Sequence, residues 1–175
     1  MEPLVSFGNR LQSEGVKGTQ VIVTEFPSSG TFYDVFSRDL NTVVVGSSLA
    51  LASRLITIVC IRSALVSGLH AADATTPGLI ILLTAPSSFP SNGETSMTEA
   101  WRSSIYHVTV YSPWDWDATM DGKKQRYNLV SRSVNNLRKI TPDAAYLNEA
   151  DVYEPNYKVA FWGNKYDELL RIKEK

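Results

Sequence analysis

One short segment places a histidine and two hydroxyls at every second position. Residues 104–111 read Ser-Ile-Tyr-His-Val-Thr-Val-Tyr. Side chains alternate across a strand, so Ile105, His107, Thr109 and Tyr111 share one face and Tyr106, Val108 and Val110 the other. The first face is polar and titratable. The second is apolar and suits packing beneath helices. An imidazole that changes charge near neutral pH can give or take a proton. The His107 face is therefore the candidate wall of a pocket, with Thr109 and Tyr111 as substrate-binding neighbours. The alternative is a histidine that is solvated or hydrogen-bonded for structure alone. Just beyond lies Trp114-Asp-Trp116-Asp. These two indoles either lid an apolar ligand or cover the end of the sheet.

Other chemistries are poorly supplied. The chain has two histidines and one cysteine, too few for a ligand cluster at zinc-like spacing. Cys60 sits in the apolar run 55–61 and reads as a small buried hydrophobe. No Gly-rich pyrophosphate loop and no Gly-x-Ser-x-Gly elbow is present. Lys plus Arg number 17 against 18 Asp plus Glu, a net charge of -1. Without a basic block, nucleic acid and anionic membrane surfaces are not expected partners. Apolar stretches fall short of the ~20 residues a membrane helix needs. Met1-Glu-Pro opens without a basic or apolar leader, so a cytoplasmic location is expected. A length of 175 residues suits one domain, 1–175.

The positioning elements are readable in outline. Residues 3–13 form a helix with Leu4, Phe7 and Leu11 three and four apart. Residues 19–25 and 42–45 read as strands, and 31–40 as a helix turning Phe32, Val35 and Phe36 inward. Gly46-Ser-Ser48 breaks the second strand. Residues 49–69 are apolar without a clear period, with a helix over 62–72. Arg54 and Glu25 are expected at the surface. Residues 79–84 form a continuous apolar run, the pattern of a strand buried on both faces. Residues 86–96 are a loop. The strand 104–111 stops at Pro113. Residues 122–140 form an amphipathic helix, with Tyr127, Val130, Val134 and Leu137 inward and Lys123, Arg126, Arg132, Asn135 and Arg138 outward. Asn164 caps a last helix over 165–173. The order predicts an α+β fold, an antiparallel sheet covered by helices on one face.

The tail is more specific. Tyr146-Leu-Asn148-Glu-Ala-Asp151, followed by Phe161-Trp-Gly-Asn164, resembles the C-terminal segment of berberine-bridge-enzyme-like FAD-linked oxidoreductases of the vanillyl-alcohol-oxidase superfamily. The likeness runs backward, more loosely, through Ala100-Trp-Arg102 and residues 78–83. It implies the substrate domain of such a protein. In that family the Tyr-x-Asn pair faces the cavity at the flavin, which on this chain falls on Tyr146 and Asn148. The alternative is that Tyr146 only packs and Asn148 only satisfies backbone at a chain reversal.

The resemblance also implies that the flavin-binding half lies outside this sequence. The protein is then expected to carry no FAD, and Tyr146 with His107 become the catalytic candidates. The substrate is expected to be a small apolar secondary metabolite in a fungal biosynthetic route. The reaction would be non-redox: cyclisation, cycloaddition or double-bond isomerisation. Two alternatives stand beside it: a fragment of an FAD-linked oxidoreductase, with FAD as cofactor, and a non-catalytic binding or partner module. A face that once met a flavin domain would be apolar, so a homodimer or larger assembly is expected.

Overall fold

The computed structural model describes residues 2–17, 22, 24–37, 47–57, 60, 62–83 and 93–175. Packing divides the chain into two units, Met1–Val45 and Gly46–Lys175, and each is described by itself. The expected strand 42–45, and most of the expected strand 19–25, fall outside the described residues.

In the first unit, α1 spans Glu2–Ser13. The Arg10 guanidinium lies 5.3 Å from the centroid of the Phe7 ring. Gly15, at φ 73°, follows the helix end. A short helix α2, Ser29–Phe32, starts where the Ser28 hydroxyl accepts a bond from the Thr31 amide. The backbone then widens into a π-type turn, Tyr33–Ser37, rather than continuing as a regular helix. Phe32, Val35 and Phe36 are not turned inward: they are 49%, 50% and 41% exposed. Phe32 and Phe36 instead stack on each other, and both meet Phe26 edge-on at 5.5–5.6 Å.

The second unit is built on a three-stranded antiparallel sheet. Its strands are β1 (Ser47–Thr57), β2 (Ile80–Leu83) and β3 (Ser104–Asp115), in the order β1-β3-β2. Ser47 and Ser48 therefore open a strand rather than breaking one. Helix α3, Arg62–Thr75, joins β1 to β2, and the one-turn helix α4, Ala100–Ser103, precedes β3. Strand β3 runs past Pro113, which pairs with Leu49. At that level the described part of β2 has already ended, and a proline is tolerated where one side of a strand has no ladder to complete. Strand β2 is not buried on both faces. All four of its residues are 44–72% exposed, and among the described residues it pairs with β3 alone.

Helix α5, Met120–Arg138, opens at Thr119, whose hydroxyl accepts from the Gly122 amide at 3.1 Å. That cap satisfies one of the first-turn donors. Asp121 in the first turn and Arg138 in the last complement the helix dipole. The inward stripe is as expected: Val130, Val134 and Leu137 are fully buried, packed with Ala50, Ala52, Ile56, Ala72, Val108 and Val110. Helix α3 lies against α5 through Gly68. A Cβ there would meet Ile140 Cδ1 at 2.6 Å and the Asn136 carbonyl at 3.3 Å, so any larger residue would have to displace the Ile140 side chain. Ser133 ties the pair, its hydroxyl donating to the Ala72 carbonyl at 2.7 Å. Cys60 is half-buried beside this core, its Sγ donating to the Ile140 carbonyl.

Beyond α5 come a 3-10 turn at Leu147–Glu149, helix α6 at Tyr157–Trp162, a second 3-10 turn at Gly163–Lys165 and helix α7 at Tyr166–Lys173. Asn164 lies inside the second turn and makes no cap to α7, whose N-cap is Lys165. Arg54 is the largest departure from expectation. It is fully buried, not at the surface.

Candidate functional site

The expected alternation along β3 holds. Val108 and Val110 enter the helix-covered core, which turns His107 and Thr109 to the opposite face, where both are 3% exposed. Ser53 and Leu55 of β1 pair with Thr109 and His107. Ile80 and Leu82 pair with the same two residues from the other side.

The tail reaches this face by crossing the β1 edge. Arg54, on the helix side, donates to the Pro142 carbonyl at 2.5 Å and to Thr141 Oγ1 at 3.2 Å. The Leu55 amide donates to the Ala144 carbonyl. Ser53, on the His107 side, then takes the Tyr146 amide at 3.0 Å. Within five residues the chain has passed from one face of the sheet to the other, and the 3-10 turn Leu147–Glu149 follows at once. Tyr146, the extended N-cap of that turn, and Glu149, its last residue, both reach His107.

The tail is locked there by a buried charge cluster. Arg54 Nη1 lies 3.2 Å from Glu154 Oε1, and Arg138 Nη2 lies 2.7 Å from Glu154 Oε2 and 2.5 Å from Asp151 Oδ2. Burial pushes the Arg54 pKa down, opposed by the Glu154 charge. Burial works in the same direction on Arg138, but the hydrogen bonds it donates to Glu154 and Asp151, with their charges, outweigh it and raise its pKa. Arg138 is thus not an outward residue. Asp151 of the tail motif is a structural anchor.

Three rings meet at the wall. Trp101, His107 and Tyr146 stand edge-to-face in every pairing, with centroids 5.4, 5.3 and 5.5 Å apart. Such contacts hold ring orientations without polar bonds. His107 Nε2 lies 2.9 Å from Glu149 Oε2. The Thr109 hydroxyl donates a short bond to the same Glu149 oxygen and lies 3.4 Å from His107 Nε2. Partial burial works to raise the Glu149 carboxyl pKa. Hydrogen bonds from His107 and Thr109, with the His107 charge, more than offset it, and the pKa falls below the usual carboxylate range. Glu149 is therefore an anion at neutral pH. The Asn148 amide donates to the Tyr146 phenol oxygen at 2.6 Å, which leaves the phenol hydrogen available to another acceptor.

The structure thus brings His107, Thr109, Tyr146 and Asn148 together. It does not bring the other three candidates to them. Tyr111 shares the face but turns its hydroxyl to Gly78, where a Cβ would lie 3.2 Å from it. Trp114 belongs to the helix side, its ring 5.3 Å from that of Tyr127. Trp116 lies past the end of β3 and is 83% exposed. Sequence reasoning missed Glu149 and Trp101 as members of the wall. The i, i+3 spacing from Tyr146 was the available signal for Glu149.

Known proteins agree with the tail reading. Residues 145–175 match the protein-family model described as "Berberine and berberine like". The FAD-linked oxidoreductase ZEB1 of Gibberella zeae is 36% identical over 89 residues, covering 50% of this chain and 16% of the relative. The bifunctional decalin synthase calF of Penicillium decumbens is 37% identical over 79 residues, covering 43% of this chain and 14% of the relative. Among solved structures, the VAO-type flavoprotein MtVAO615 from Myceliophthora thermophila superposes with a TM-score of 0.58 at 23% identity, over 71% of this chain and 24% of that one. BBE-like 1 of Physcomitrella patens gives 0.56 at 16% identity, over 73% and 27%. At these identities the structures show the fold alone. The chain is similar to the berberine and berberine-like family over its tail and to fungal FAD-linked oxidoreductases over about half its length, and it spans about a sixth of the length of these relatives.

Those relatives imply FAD. The wall does not fit the whole dinucleotide: the Glu149 carboxylate beside His107 would repel a diphosphate, and the remaining groups are a phenol, a hydroxyl, an amide and an indole. Its groups suit the substrate side of a reaction. Among the described residues no group of three or more His, Cys, Asp or Glu could hold a metal, and no helix is long and apolar enough to cross a membrane.

Proposed function

We propose that this chain supplies the substrate-facing, proton-handling wall of a berberine-bridge-like FAD-linked oxidoreductase acting on a small, largely apolar metabolite. One observation carries the reading. Tyr146 and His107, from the tail and the central strand, stand ring against ring on the sheet face opposite the helices, with a free phenol hydrogen on one and a titratable nitrogen on the other. The phenol can donate to a carbonyl or alcohol oxygen as charge develops there. The imidazole can remove or return a proton within hydrogen-bond reach. Trp101, edge-on to both rings, gives an apolar boundary. A bound flavin would supply hydride acceptance; the residues of this chain orient the substrate and move its proton.

A second reading keeps the wall and drops the redox step. The decalin synthase relative favours it, since its name describes ring formation. Here the wall would hold a polyene in a near-attack conformer and polarise it through Tyr146, giving a cyclase or isomerase that needs no flavin. The deciding experiment offers hydroxylated aromatics and polyenes to the purified protein, with and without added FAD and dioxygen. Products two electrons more oxidised, formed only with FAD, support the first reading. Isomeric products formed without FAD support the second. Unchanged conversion by both Tyr146→Phe and His107→Ala would remove the wall from either.

A further inference from the structure

We infer that Glu149 is a positioning residue, whose carboxylate holds the His107 imidazole with its Nε2–H turned to Glu149 and leaves Nδ1 as the basic nitrogen of the ring. The inference rests on the proton-handling role proposed for His107 and adds the residue that sets its tautomer.

Four observations converge. The Nε2 atom, not Nδ1, faces Glu149, at 2.9 Å. A carboxylate accepts and cannot donate, so the neutral ring must carry its proton on Nε2 for this bond to exist. Glu149 is itself held by the Thr109 hydroxyl on the same oxygen, which fixes the carboxylate rather than leaving it to swing. The ring is 4% exposed at its side chain and boxed edge-on by Trp101 and Tyr146, so a flip exchanging the two nitrogens would have to displace two aromatic neighbours. Among the described residues no hydrogen bond engages Nδ1. An acid that orients a histidine and stabilises its charged form makes the other nitrogen the working base. The 3-10 turn delivers both parts at once, since Tyr146 is its N-cap and Glu149 its last residue. The single turn therefore presents a hydrogen-bond donor to the ligand and an anchor to the base.

The test uses nitrogen-15 NMR of the full chain. Only two histidines are present, and the exposed His70 serves as an internal control. Long-range nitrogen–proton correlations report which ring nitrogen is protonated. At a pH where the ring is neutral, the parent should show His107 as the Nε2–H tautomer. Glu149→Ala should replace that pattern by an averaged one and leave His70 unchanged. Glu149→Gln, whose side-chain carbonyl can still accept, should keep the parent pattern. A parent ring protonated on Nδ1 would overturn the inference, as would an Ala variant indistinguishable from the parent. The parent spectrum decides the matter even if the Ala variant does not fold. An Nε2–H tautomer lost in Glu149→Ala, together with full turnover by Tyr146→Phe and His107→Ala, would sink the proposed function and leave the positioning role standing.

Discussion

Ser53 and Tyr146 hold each other through reciprocal hydrogen bonds. The Tyr146 amide donates to Ser53 Oγ at 3.0 Å, and the Ser53 hydroxyl donates back to the Tyr146 carbonyl at 3.3 Å. Ser53 is 1% exposed. A small hydroxyl at this point of β1 serves both backbone groups of the residue on which the wall depends, and a larger side chain would push the tail off the sheet.

Ser53→Ala should therefore cost more than one surface hydrogen bond. It leaves a Tyr146 amide and carbonyl without their partner in a nearly closed site, which costs about 1–3 kcal/mol for an unsatisfied group. A lower urea midpoint at unchanged slope would show this loss. The same variant should loosen the Tyr146 ring against Trp101, seen as a change in near-UV dichroism.

Arg54 should be among the most sensitive positions of the chain. Arg54→Met removes the cation paired with Glu154 and releases the Thr141 and Pro142 contacts. Breaking one side of a buried pair costs about 3–5 kcal/mol. Arg138 still holds Glu154, so the loss should fall at the lower end of that range. In a double-mutant cycle, Arg54→Met with Glu154→Gln should destabilise by less than the sum of the two single changes. Strict additivity in chemical denaturation would contradict the pairing.

How much of this was legible follows from what each signal requires. The β3 faces could be read because period-two alternation reports burial directly, and the buried stripe of α5 because 3.6-residue periodicity does the same. Strand β1 gave neither signal: Ala50, Ala52 and Ile56 lie in the core, yet Leu55 on the opposite face is also 0% exposed, so apolar residues fall on both faces. Arg54 was misplaced because a lone arginine is normally solvated, and its partners, Thr141, Pro142, Asp143 and Glu154, come from the tail, remote in sequence. Strand β2 has the composition of a buried strand but sits at an edge, and composition does not encode sheet order. Tyr146 was found through the family likeness alone. Glu149 required knowledge of a 3-10 turn before its spacing meant anything.

Gly163 should resist substitution. Its φ of 57° with ψ of -131° is open to glycine and hostile to a side chain, and a Cβ there would lie 3.1 Å from Thr98 Oγ1. Gly163→Ala should cost about 1–3 kcal/mol through backbone strain, with Tm as the measure. Gly30→Ala is the control. Its nearest prospective contact is 3.6 Å and its backbone is helical, so it should change little.

Acid should weaken the protein partly through Glu149. The Glu149 pKa in the folded chain lies below the ordinary carboxylate range: burial raises it, while His107 and Thr109 lower it by more. A group whose pKa is depressed by folding contributes stability that is complete above its unfolded pKa and is lost as pH falls through the folded value. The contribution should thus be full at neutral pH and fade from about pH 5 downward. Protonation removes the charge that His107 faces, so the ring and the carboxyl should part together. Glu149→Gln has no such group to titrate. Its Tm should be lower than the parent's at neutral pH and should fall less steeply below about pH 5, so that the two curves converge in acid. Other carboxylates titrate in both proteins alike, and the difference between the curves isolates Glu149. A constant gap between parent and variant from neutral pH into strong acid would show that the Glu149 carboxylate contributes no charge-dependent stability.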